Sequence, residues 1–113
     1  MGLITGALRV QQLLNAKSDL EFKIQTSTET KLGLSSSLTN IADMAAAASL
    51  DGADNAETKR LEAQKIQLQA FEKQLDAQLS RYNAQLKMVE TELESARQLV
   101  DKNIQSSFTY GAR

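Results

Sequence analysis

The residues best suited to acid–base chemistry are three closely spaced carboxylates, Glu90, Glu92 and Glu94. On one helix Glu90 and Glu94 share a face while Glu92 points elsewhere, so their spacing predicts no shared pocket. The chain contains no histidine and no cysteine, which excludes imidazole and thiolate metal sites, disulfides and Ser-His-Asp triads. Tyr82 lacks the basic and aromatic neighbours of a base-stacking platform. We expect no catalytic residue, no metal site and no cofactor, and hence no enzyme.

The charge balance argues against a nucleic-acid partner. The chain has 13 basic and 14 acidic residues and a formal net charge of −1, whereas phosphate neutralisation needs a basic surplus. The longest apolar run, residues 44–50, is far shorter than the about 20 residues that a membrane-spanning helix needs. The sequence start also lacks a basic segment followed by an apolar one, the order typical of secretory signals. We expect no nucleic-acid partner, no membrane-spanning segment and no cleaved signal peptide.

Heptads in the second half of the chain predict a coiled-coil helix. Apolar residues recur there at alternating steps of four and three, the spacing at which one helix packs along another. They form the second-arm seam: Leu75, Leu79, Tyr82, Leu86, Val89, Leu93, Ala96 and Val100. The same register runs backward through Leu68 and Leu61, with the polar residues Glu72 and Lys65 at the alternate positions. Ile66 and Phe71 offer a neighbouring apolar face there, so we expect the seam to widen or shift near the turn. After the seam, Ile104 and Phe108 follow Val100 at steps of four, which predicts a stutter that relaxes the supercoil.

The first half carries a weaker stripe with the same spacing. It forms the first-arm seam: Leu34, Leu38, Ile41, Ala45 and Ala48, continued backward by Leu13, Leu20 and Ile24. Ser27 and Lys31 are polar gaps in this register. Residues 25–37 are rich in serine and threonine, whose hydroxyls compete for backbone groups. We expect a bend or soft spot in that stretch.

The two arms are separated by a short turn. Asp51-Gly52 can end the first helix, and Asp54 with Glu57 three residues later resembles an N-terminal capping arrangement. A connector of about five residues is typical of antiparallel helix neighbours. We expect a single helical-hairpin unit, residues 1–113, with one arm over about residues 3–50, a turn over about 51–55, a second arm over about 56–107, and a short C-terminal tail.

Apolar residues off the two seams predict contacts between subunits. Two helices bury only one seam, so a hairpin of this kind leaves apolar surface for a further partner. The predicted contacts are Leu3, Leu8, Phe22, Phe71, Ile104, Phe108 and Tyr110, and Val10, Leu14, Leu32, Met44 and Met88 also lie off the seams. Repeated head-to-tail contacts would give rings or filaments. A dimeric four-helix bundle would bury similar stripes, and Phe108 and Tyr110 could instead cover the open end of the hairpin.

The order of these features resembles the needle subunits of type III secretion systems. An amphipathic helix, the turn Asp51-Gly-Ala-Asp-Asn55, a longer helix and the ending Asp101-x-x-Ile104-x-x-x-Phe108 follow one another. The hairpin plan covers most of the chain, and the residue match covers the turn and the last dozen positions. The chain departs from the family in its longer arms and in having no proline in the turn. The resemblance implies polymerisation into a hollow extracellular filament after export through a secretion machinery, without a cleaved signal.

Two other helical families share parts of this plan. Flagellin is similar in bringing paired terminal helices together inside a tube. Small secreted WXG-type proteins are hairpins of about this length, but their turn carries a Trp-x-Gly motif that residues 51–55 lack.

These patterns together predict a structural protein. The expected fold is all-α, a long antiparallel two-helix hairpin, or coiled coil, that assembles into a helical filament. The expected partners are copies of the same chain, and the expected location is an extracellular bacterial filament. The alternative is an intracellular coiled-coil adaptor or chaperone-like protein in the cytoplasm, which acts as a small oligomer or with a helical partner.

Overall fold

A computed structural model describes residues 2–50 and 56–111, with side chains described up to residue 106. These residues form two helices, α1 over Gly2–Ser49 and α2 over Ala56–Gly111. The two long helices pack together, and no strand occurs in the described part of the chain, which confirms the all-α helical hairpin. The predicted turn at residues 51–55 lies outside the described residues. Neither helix has, over its described length, an apolar stretch sufficient to cross a membrane.

The serine- and threonine-rich stretch does not interrupt α1. The helix runs through residues 25–37 without a break, so the predicted bend or soft spot does not end the helix. The Thr30 hydroxyl donates to the Thr26 carbonyl at 2.9 Å, and the Thr39 hydroxyl donates to the Ser35 carbonyl at 3.0 Å. A hydroxyl that bonds to the carbonyl one turn earlier shares that acceptor with a backbone N–H, which slightly weakens and often bends a helix, so a bend or soft spot in this stretch stays a prediction.

The chain divides into two compact units, each built from part of both helices. The first unit combines residues 1–24 with 81–113. Its core is a buried cluster of Leu13, Leu93 and Ala96, against which Val10, Leu14 and Val89 pack. The prediction that Val10 lies off the seam is therefore wrong, and Leu14, although it lies off the seam, packs against the cluster and is half-buried. Val10 belongs to the seam because the steps of four and three continue backward from Leu13, and Leu14 flanks it closely enough to share the cluster.

The seam of the first unit continues past Val100 without the predicted stutter. Asn103, three residues after Val100, is half-buried, whereas Ile104 is 49% exposed. Gly6 on α1 makes room for Val100, because a Cβ on Gly6 would lie 2.9 Å from Val100 Cγ2, whereas a Cβ on Gly2 would meet the Asn103 amide nitrogen at an ordinary contact distance of 3.6 Å. Close backbone approach thus favours the three-residue step over burial of the larger isoleucine.

The second unit comprises residues 25–80. Its core is a buried cluster of Ile41, Ala48 and Leu61, with Ala45 and Leu68 packed against it. The regular heptad spacing from Leu75 continues through Leu68 to Leu61.

The predicted shift of the seam onto Ile66 and Phe71 is wrong, since these side chains are 66% and 45% exposed. Glu72 instead occupies the seam position and is half-buried. A glutamate can keep that position because its stem lies along apolar surface while its carboxylate reaches water.

The two glycines Gly6 and Gly33 should respond in opposite ways to a methyl group. Gly33→Ala is expected to raise the free energy of unfolding by about 0.5–1 kcal/mol, because glycine weakens a helix interior and the new Cβ meets nothing within 4 Å. Gly6→Ala gives the same gain in helix propensity, but its Cβ meets Val100 Cγ2 at 2.9 Å and valine rotates little. We expect the clash to cancel or reverse the gain, by about 1–3 kcal/mol. Urea unfolding followed by circular dichroism measures both, and equal gains would contradict the close contact.

Candidate self-association surfaces

The carboxylates with the best catalytic spacing do not form a site. Glu92 accepts a hydrogen bond from the Arg9 guanidinium at 3.1 Å, across the interface of α1 and α2 in the first unit. Glu90 and Glu94 are exposed. Within the described residues no group of three acidic, histidine or cysteine side chains could hold a metal ion. Glu92 therefore forms an exposed ion pair with Arg9 at the edge of the seam. An exposed pair of this kind contributes little to stability.

Basic side chains of α1 lie along the edge that faces α2. In the first unit, besides the Arg9 contact, the Lys23 ammonium lies 5.9 Å from the centre of the half-buried Tyr82 ring. A cation at this distance from the ring face is weakly attracted to it. Tyr82 is therefore a seam residue with a cation beside it.

In the second unit Lys31 forms an ion pair with Asp76. The hydrogen bond to the Asp76 carboxylate, followed by the charge of that carboxylate, raises the pKa of Lys31 above its ordinary value of 10.5. Lys31 therefore holds its seam position by pairing with the Asp76 carboxylate across the interface. Ser27, the other polar gap in the first-arm seam, is buried.

The structure places the predicted seam residues on the sides where α1 and α2 meet. Eight of them are buried: Leu13, Leu20, Leu34, Ile41, Ala48, Leu75, Leu93 and Ala96. The other eight are half-buried: Ile24, Leu38, Ala45, Leu79, Tyr82, Leu86, Val89 and Val100. Within each unit these side chains supply the contact between the helices and leave the other sides of both helices open to a further partner.

The predicted subunit contacts that the structure describes are all exposed: Leu3, Leu8, Phe22, Phe71 and Ile104. In the first unit Leu8 and Phe22 are fourteen residues apart, or two heptads, and both lie opposite the seam. Ile4, four residues before Leu8, is also exposed and was missing from the predicted set. The side chains of Phe108 and Tyr110 lie outside the described residues, so their role stays a prediction.

The second unit exposes a surface that sequence reasoning missed. Four exposed alanines recur at every seventh position of α2 and form the alanine row: Ala56, Ala63, Ala70 and Ala77. Beside this row is an open cleft lined by Leu38, Ile66, Gln69, Ala70, Glu72 and Lys73. On α1, Leu32 is 66% exposed. The seven-residue repeat of alanine was the available signal, because residues seven apart occupy the same side of a coiled-coil helix.

Comparison of the chain with protein-family models, with curated proteins and with solved structures finds no match in any of the three.

Proposed function

We propose that the chain is a structural subunit, not an enzyme, and that it assembles with copies of itself into a helical filament. The observation that carries this proposal is the set of large apolar side chains that remain exposed after α1 and α2 have packed together: Ile4, Leu8, Phe22, Leu32, Ile66, Met88 and Leu99. Apolar side chains grouped on the outer sides of a helix pair are typical of surfaces that bind another protein.

The exposed residues occur in both units, which favours repeated contacts over a single one. Ile4, Leu8 and Phe22 belong to the first unit, and Leu32 and Ile66 to the second. A chain with several such surfaces can contact more than one neighbour, and contacts between unlike surfaces repeat into rings or helical filaments. Export through a secretion machinery and an extracellular location are further parts of this proposal and rest on the resemblance to needle subunits.

Electron microscopy of the purified chain over a concentration series, with sedimentation alongside, tests self-assembly. We expect uniform filaments whose mass rises with total concentration above a threshold, because each added copy forms the same contacts. Discrete small oligomers at every concentration would contradict the filament. Recovery of a stoichiometric second polypeptide with such oligomers would favour the coiled-coil adaptor.

A further inference from the structure

In the second unit the side of α1 that faces away from the seam is acidic. The charged residues of α1 in this unit are Glu29, Lys31 and Asp43. Lys31 is directed across the seam to Asp76. Glu29 and Asp43 are exposed and lie two heptads apart, so they share the side opposite the seam. The outer side of α1 therefore presents negative charge alone.

The corresponding side of α2 is basic. The acidic residues of α2 in this unit lie on the seam or at the positions next to it: Glu57, Glu62, Glu72 and Asp76. Lys59, Arg60 and Lys73 are exposed at positions away from the seam, on either side of the alanine row. None of these three cations forms an ion pair with another described residue. The outer side of α2 therefore presents positive charge alone.

The two sets of charges have the same spacing. Glu29 and Asp43 are fourteen residues apart, and so are Lys59 and Lys73; at a rise of about 1.5 Å per residue, both distances are about 21 Å. In copies that lie side by side in the same orientation, α1 of one copy is antiparallel to α2 of the next. Glu29 then faces Lys73 while Asp43 faces Lys59.

The same alignment gives Leu32 an apolar partner. Leu32 follows Glu29 by three residues, and Ala70 precedes Lys73 by three, so Leu32 lies opposite Ala70. Ala70, Ile66 and Leu38 line the cleft beside the alanine row. Small alanine side chains allow a second helix to approach closely, and the cleft would then cover a leucine that is 66% exposed in a single chain.

We infer that the outer side of α1 in one copy docks on the alanine row of α2 in the next copy. Leu32 enters the cleft, and the pairs Glu29–Lys73 and Asp43–Lys59 set the register. This inference rests on the proposed self-assembly and identifies the surfaces that mediate it. Because the two surfaces differ, the contact is heterologous: the first copy keeps its alanine row free and the second keeps its outer α1 side free, so further copies can add at both ends.

Reversal of the charges on one surface at a time tests the contact. In the first double variant, Glu29→Lys with Asp43→Lys, the outer sides of α1 and α2 are both basic. In the second, Lys59→Glu with Lys73→Glu, α1 and α2 both carry acidic residues at the paired positions. Each double variant is expected to raise the threshold concentration for filaments by at least about tenfold, because like charges then face each other. An equimolar mixture of the two variants should form filaments again, since each supplies the complement of the other.

The fourfold variant, with all of these exchanges in one chain, is the decisive sample. It keeps the wild-type net charge of −1 because two acids and two lysines exchange sign, and it should assemble at the wild-type threshold. Contacts between like surfaces, α1 with α1 or α2 with α2, bring like charges together in the wild type and in every variant, so they predict no rise of the threshold in either double variant. The control Glu90→Lys with Glu94→Lys changes the net charge as much as the first double variant, outside the second unit, and should leave the threshold within about threefold of wild type.

The possible failures are distinguishable. Circular dichroism should show wild-type helix content in every variant, since all four exchanged residues are exposed. If the wild type polymerises and both double variants do so at its threshold, or if the fourfold variant stays monomeric, the inferred contact is overturned while self-assembly stands. If the wild type forms no polymer at any concentration, both proposals are overturned.

Discussion

Leu93→Ala is expected to lower the free energy of unfolding by about 2–5 kcal/mol, the usual cost of removing a buried leucine side chain. Leu93 is 4% exposed and forms a buried cluster with Leu13 and Ala96. Truncation would leave a cavity between α1 and α2 in the first unit. Urea unfolding, followed by circular dichroism below the assembly threshold, measures the loss in a single chain.

The matched control is Leu99→Ala. Leu99 lies six residues later on the same helix but is 61% exposed, so its truncation should change the free energy of unfolding by only about 0.5 kcal/mol. Equal effects of the two substitutions would show that the seam does not carry the stability of the first unit.

The seam was predictable because its signal is local and periodic. The steps of four and three from Leu75 to Val100 follow from the sequence alone, and the structure places these residues where α1 and α2 meet. Two interruptions were expected because larger apolar residues, Phe71 and Ile104, were available near the seam. Both remain exposed, since a constant heptad spacing along two long helices outweighs the burial of one larger side chain.

The polar residues on the seam were harder to interpret, because their effect depends on the opposite helix. Lys31 is a gap in the first-arm seam until Asp76 is placed beside it. The reason for a glycine at position 6 also depends on the other helix, because Val100 Cγ2 lies 2.9 Å from where a Cβ on Gly6 would be. The periodicity of apolar residues in one helix shows which side of that helix packs, but it does not show which residues of the other helix this side contacts. The sequence alone therefore predicts the contact sides but not their pairs.

The outer sides of α1 and α2 could not be predicted from the sequence alone for the same reason. The alanine row and the charges of opposite sign are all visible in the sequence. The sides of the helix on which they lie follow only once the seam register is known to stay constant through residues 58–79 of α2, where Lys65 is the one exposed seam position. A shifted seam at Phe71 would have turned the alanine row toward a different side of the helix. The correction of that one prediction therefore reveals the complementary surfaces of the second unit.

Phe22→Ser is expected to raise the threshold concentration for filaments by about 5- to 30-fold. Phe22 is 69% exposed in the single chain, so covering it in a contact would contribute about 1–2 kcal/mol per added copy, and about 1.4 kcal/mol corresponds to a tenfold change. Sedimentation over a concentration series gives the threshold. Because the side chain is outside the seam, helix content and unfolding of the single chain should stay at wild-type values.

Phe22→Leu keeps an apolar side chain and is the matched control, with a threshold within about threefold of wild type. Measuring the threshold at two salt concentrations distinguishes the apolar contact of Phe22 from the charged contact of the second unit. Raising the ionic strength should weaken a register set by Glu29 and Lys73 but should leave the relative effect of Phe22→Ser unchanged, because an apolar contact is not screened. A serine variant that assembles at the wild-type threshold at both salt concentrations would exclude Phe22 from the subunit contacts.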